Sequence, residues 1–81
     1  MGTIQMTFGE VIERLKKSKS VDEWNETREQ IKENLPFDKF LKYMNLLEST
    51  GFIRTVLRVN VNKEDKEILE KVIENLKRYK L

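Results

Sequence analysis

The side chains in this chain best placed to do chemistry are its cations. Lys16, Lys17 and Lys19 crowd together, Lys39 and Lys42 stand three apart, and Arg54 and Arg58 stand four apart. Lysine and arginine in such groups donate charge-assisted hydrogen bonds to phosphate oxygens. Competing chemistries lack their residues. With no Cys there is no thiolate nucleophile and no disulfide framework. With no His, the usual general base and the commonest metal ligand are missing. The three glycines, at positions 2, 9 and 51, form no phosphate-loop pattern, and no G-x-S-x-G occurs. The serines, lysines and carboxylates fall in no catalytic arrangement. The residues therefore point to a binding protein rather than an enzyme, with no metal and no cofactor.

Charge supports that direction only mildly. Sixteen basic residues against fourteen acidic ones give a net charge of +2. Residues 1–35 carry 6 basic and 7 acidic side chains, residues 36–61 carry 4 and 2, and residues 62–81 carry 6 and 5. The middle of the chain is thus its most positive part. Eighty-one residues make one domain, residues 1–81, with a modest core that gains from oligomerising. No apolar run approaches the ~20 residues of a membrane span. No signal peptide is visible, so a cytoplasmic, intracellular protein is expected. The 37% charged content, in both signs, resembles that of heat-stable proteins.

The elements that must carry these cations centre on the stretch from Leu35 to Ile53. Phe37, Phe40, Leu41, Met44 and Leu47 fall on one helical face. Pro36 suits a first turn, Asp38 complements the helix dipole, and Gly51 supplies a left-handed stop. Upstream, Thr7-Phe8-Gly9-Glu10 and Ser20-Val21-Asp22-Glu23 both read as capping boxes. They open helices at about 8–18 and 21–33, the first with Phe8, Val11, Ile12 and Leu15 inward, the second with Val21, Trp24, Arg28 and Ile31. Asn34-Leu35-Pro36 joins the second helix to the third. Downstream, the alternation of FIRTVLRVNV reads as a strand at about 52–61, with Arg54 and Arg58 on one side. Thr3 to Met6 reads either as its edge-strand partner or as a disordered start. A last helix at about 63–79, capped by Asn60 or Asn62, presents Ile68, Leu69, Val72, Ile73, Leu76 and Tyr79.

This order of events resembles the core of a winged-helix or helix-turn-helix DNA-binding domain, of which MarR-like and ArsR-like regulators are familiar members. The resemblance covers roughly residues 20–60, with the helix-turn-helix at 20–50. It rests on Met44, Leu47, Glu48, Ser49, Thr50, Gly51, Phe52 and Ile53, the end of a recognition helix followed by glycine, two apolar residues and a strand. Leu35 matches the apolar residue that precedes such a helix. The pattern is that of small archaeal, viral or plasmid regulators. It implies a mainly α fold with a small β element (α+β): about four helices and a two-stranded antiparallel sheet. The second wing strand has no obvious sequence of its own unless Thr3–Met6 supplies it.

The resemblance implies a dimeric transcriptional regulator that binds double-stranded DNA. Lys39, Lys42, Tyr43 and Asn45 of the third helix would meet the duplex, and Arg54, Arg58, Lys16, Lys17 and Lys19 would hold its backbone. Cations at the end of the first helix are also what its dipole favours, and arginine on the wet face of a sheet is ordinary. Leu69, Val72, Ile73, Leu76 and Tyr79 would form a homodimer seam or close the monomer core. The third helix also supports a second reading. It is apolar on more than one side, so Phe37, Tyr43 and Leu46 would instead anchor a partner protein.

Overall fold

A computed structural model describes residues 6–79 of the chain as five α-helices, with no strand among the described residues. They are α1 (Phe8–Leu15), α2 (Val21–Glu33), α3 (Phe37–Ser49), α4 (Phe52–Asn60) and α5 (Lys66–Lys77). Helices that follow one another in the chain pack together, except that the α4–α5 contact is the broadest and α1 also reaches α5.

The first three helices form for the reasons visible in the sequence. Thr7 Oγ1 accepts the Glu10 N–H at 3.2 Å, and Ser20 Oγ accepts the Glu23 N–H at 3.1 Å. Each bond satisfies a donor that the first turn leaves open. Val11, Ile12 and Leu15 of α1, Trp24 and Ile31 of α2, and Phe40, Tyr43, Met44 and Leu47 of α3 are buried in one continuous core. Arg28 lies half-buried with its guanidinium carbon 5.1 Å from the centre of the Phe40 ring, a cation–π contact. α1 stops at Leu15, earlier than its periodicity predicts.

The segment expected to be the strand is α4, and this overturns the α+β, winged-helix-like architecture. Nothing in residues 52–61 is extended, so no β-wing exists there. Of its expected partner, Thr3 to Met6, residues 3–5 lie outside the described residues, and Met6 is buried without being in a strand. The physical reason lies in a second periodicity within the same letters. Phe52, Val56 and Val59 sit at offsets 0, 4 and 7 and are all buried, against α3, α5 and the Trp24 ring. Burial of one helical face outweighs the β preference of Ile53, Thr55, Val56 and Val59. Gly51, at φ 70°, ends α3 and starts α4 in a left-handed conformation that a side chain would strain. The Thr55 hydroxyl returns a bond to the Gly51 carbonyl at 3.1 Å.

The last helix is shorter than expected and capped differently. Asp65 accepts the Glu67 N–H at 3.0 Å. Asn60, a candidate cap, does another job. Its Nδ2 donates to the carbonyls of Lys16 at 2.9 Å and Ser18 at 2.6 Å, fixing the α1–α2 connection to the end of α4. Asn60→Ala leaves two partly buried carbonyls without that donor. It is expected to cost about 1–3 kcal/mol in chemical denaturation and to speed amide exchange across residues 16–20.

Candidate nucleic-acid interface

The Asn60 anchor decides where the cations go. It holds the end of α1 against the end of α4, so residues some forty positions apart in sequence become neighbours. A groove of about 360 Å³ is lined by Lys16, Lys17, Lys19 and, from α5, Lys66, with Leu69 and Ile73 at its base and Glu70 as its one acid. A second depression, of about 450 Å³, is lined by Lys19, Arg54 and Arg58 around the apolar Val21, Leu57 and Val61. Lys19 borders both, so the two depressions adjoin, the second being largely apolar with Arg54 and Arg58 on its lining.

Not every cation on that surface is available. Lys16 Nζ lies 2.8 Å from Glu13 Oε2. The hydrogen bond to Lys16, together with the nearby charges of Lys16, Lys77 and Lys17, holds the Glu13 carboxyl below its usual range. Arg58 makes a two-pronged pair with Glu64, Nε to Oε2 at 2.9 Å and Nη2 to Oε1 at 2.7 Å. This bond lowers the Glu64 pKa and raises that of Arg58. The pair therefore stabilises above the ordinary glutamate range and is lost as pH falls through the depressed folded-state value. The side-chain charges of Lys17, Lys19, Arg54 and Lys66 have no carboxylate partner among the described residues, although the Lys19 backbone N–H donates to Glu23 Oε1 at 3.3 Å.

Helix dipoles account for some of these charges but not for all. Lys16, Lys17 and Lys19 follow the end of α1, and Arg58 is in the last turn of α4, where cations are favoured. Arg54, third in α4, and Lys66, first in α5, occupy first turns, where cations are disfavoured. Both nonetheless face the same lysine-rich connection.

The third helix is placed elsewhere. Lys39, Lys42 and Asn45 are exposed, but Lys39 lines a separate depression with Phe8, Tyr43, Lys77 and Tyr79. Tyr43 is 8% exposed and its ring packs 5.0 Å from Phe8, so it belongs to the core rather than to an exposed recognition face. Phe37 is 58% exposed and Leu41 42%, whereas Leu46 is half-buried. On α5, Leu69 and Leu76 are buried in the monomer and Val72 and Ile73 pack partly against its core, while Tyr79, beyond the end of the helix, is exposed. Lys66 and Asn60 are the site residues that sequence reasoning missed. Lys66 was masked by Glu64, Asp65 and Glu67 around it, and its position against the dipole was the available signal.

No group of His, Cys, Asp and Glu capable of holding a metal is found among the described residues, and no described helix is long and apolar enough to cross a membrane. No protein-family model, no curated protein and no solved structure matches this chain.

Proposed function

We propose that this protein is a non-enzymatic DNA-binding protein that grips the phosphate backbone of a duplex with Lys17, Lys19, Arg54 and Lys66. The observation that carries this reading is that Arg54 and Lys66 stand against their own helix dipoles yet line the surface of the α1–α2 lysines. A polyanion lying across three elements gives those positions a purpose that capping does not. Neither depression is lined by Phe, Tyr or Trp, so the surface offers no platform for stacked bases. That favours a duplex read through its backbone, with sequence preference secondary.

The test is fluorescence anisotropy of a labelled duplex titrated with the protein. Four neutralised phosphates give a slope of about −3.6 in log affinity against log salt, so binding is expected to weaken roughly a hundredfold between about 50 and 200 mM salt. Absence of binding at tens of micromolar protein in the lower salt, about the range of weak nonspecific affinity, would sink the reading. Glu64→Gln tests the role of the Arg58 pair. It releases the guanidinium and removes a negative charge from the rim. Affinity is expected to rise severalfold and the salt slope to steepen by about 0.9. An unchanged slope would show that Arg58 faces no phosphate.

A second reading is favoured by Phe37 and Leu41, which lie one helical turn apart on α3 and remain exposed. Such a pair suits a protein partner or a second copy of the chain better than DNA. Sedimentation of the intact protein against Phe37→Ser separates the cases. A dimer lost in the variant supports the α3 interface, and a monomer in both removes the second copy.

A further inference from the structure

We propose that the largely apolar depression between the start of α2 and the end of α4 is a docking groove for an acidic amphipathic segment of a partner protein. Its floor is Val21, Leu57 and Val61, and its volume is about 450 Å³. The three residues come from separate places: the first turn of α2, the body of α4 and the residue that caps α4. Val21 and Val61 are exposed and Leu57 is half-buried. Single exposed apolar side chains are ordinary on a protein surface, but three gathered around one hollow mark a contact surface. The hollow is also held in shape. The two bonds from Asn60 Nδ2 to the carbonyls of Lys16 and Ser18 fasten the α2 side to the α4 side. A partner therefore meets a site that is already formed.

Charge says what kind of segment fits. Lys19, Arg54 and Arg58 stand around the floor, and no acidic side chain lines it. Lys19 and Arg54 have no side-chain ion pair among the described residues. Arg58 already takes a carboxylate, from Glu64, through Nε and Nη2, so this rim receives a carboxylate in two-pronged geometry. Its Nη1 takes part in neither bond and keeps its donors for another.

A segment with glutamate or aspartate beside leucine, isoleucine or valine one helical turn apart matches floor and rim together. Other occupants match only one. A nucleic acid brings charge without an apolar anchor, and no aromatic ring lines the hollow for a base to stack on. A second copy of this chain would bring the acidic face of α2, where Glu26, Glu29 and Glu33 are exposed with no exposed apolar residue among them. A membrane surface is met by apolar side chains that protrude, whereas these line a hollow. Lys19 and Arg54 are also two of the four cations assigned to a duplex, so a bound segment withdraws half of that grip.

The test is a titration of the whole chain, without DNA, with an acetylated and amidated peptide of about twelve residues, roughly three helical turns. Its sequence places two leucines one turn apart with glutamates on either side. Two altered peptides accompany it, one with serine for leucine and one with glutamine for glutamate. Amide-resolved NMR at about 50 mM salt is expected to show saturable shifts at Val21, Leu57 and Val61, with Kd below about 1 mM. Each altered peptide should bind about tenfold more weakly or worse, as should the intact peptide to Arg54→Glu and to Val21→Ser combined with Val61→Ser. All three positions are exposed, and glutamate in the first turn of α4 suits its dipole, so the variants keep the fold. Lys42→Ala, on α3, should bind as the parent chain does. No saturation below that limit overturns the proposal, as do shifts centred on Phe37 and Leu41, or full binding by either altered peptide. Sedimentation of the intact chain covers the remaining case: a dimer that Arg54→Glu abolishes gives the groove to a second copy and overturns the partner. The titration contains no duplex, so its failure leaves the duplex reading standing, and loss of duplex binding leaves this one.

Discussion

Phe52→Ala should lower stability by about 3–5 kcal/mol, a large share of the ~4–12 kcal/mol that a domain of this size holds. Phe52 is the first residue of α4, has no exposed surface, and lies 5.8 Å from the Trp24 ring. Its loss removes an aromatic pair and opens a cavity where α2, α3 and α4 meet. Denaturant melts followed by Trp24 fluorescence and by circular dichroism should shift together if unfolding stays two-state. The companion variant is Val61→Ser. Val61 is 52% exposed at the end of α4, so its replacement should stay within about 0.5 kcal/mol. An extended segment would reverse the two results, because alternation places Val61 inward and Phe52 outward with the arginines. The pair of variants therefore tests the helix directly.

The second large effect is expected at the basic surface. A triple variant, Lys17→Ala with Lys19→Ala and Arg54→Ala, removes three of the four unpaired cations. The salt slope should fall by about 2.7 and duplex affinity by roughly a hundredfold or more in low salt. Stability should change little, since all three side chains are exposed. The control is Lys42→Ala. Lys42 is equally exposed but sits on α3, away from the basic surface, and its loss should leave the slope unchanged. If Lys42→Ala matches the triple variant, the duplex is bound by α3 and the surface assigned above is wrong.

The contrast between these residues shows what the chain makes legible. α1 and α2 announce themselves because cap, dipole and 3.6-residue period agree, and α3 because its period runs between Pro36 and Gly51 with Asp38 in its first turn. α4 is ambiguous. FIRTVLRVN satisfies a period of two through Ile53, Thr55, Leu57 and Val59, and a helical period through Phe52, Val56 and Val59. Nine residues hold too few repeats to choose, and only the neighbours that bury Phe52 decide. The arginine pair survives the error for a geometric reason: a spacing of four is even, and is also about one helical turn, so Arg54 and Arg58 share a side under either reading. Tyr43 did not survive as an exposed contact, because a phenol carries a polar tip on a ring that the core can take. Grouping Lys66 with Lys19 needed the Asn60 bonds, which span more than forty positions and leave no trace in local pattern.

The single glycine between α3 and α4 has a consequence for what length changes the chain can accept. One residue inserted beside Gly51 would advance α4 by about 100° around its axis, turning Phe52, Val56 and Val59 out of the core and the arginines toward it. That junction is phase-locked, as a gear tooth is. Residues 61–65, between α4 and α5, are under a weaker constraint: Val61, Asn62 and Lys63 are all exposed, Lys63 adopts a left-handed φ of 59°, and what the segment fixes is the Arg58–Glu64 pair and the bond from the Glu64 N–H to the Arg58 carbonyl. An insertion there is therefore expected to cost that surface pair while leaving the packing of the five helices in place, so the reach of the basic surface beside Lys66 can be altered.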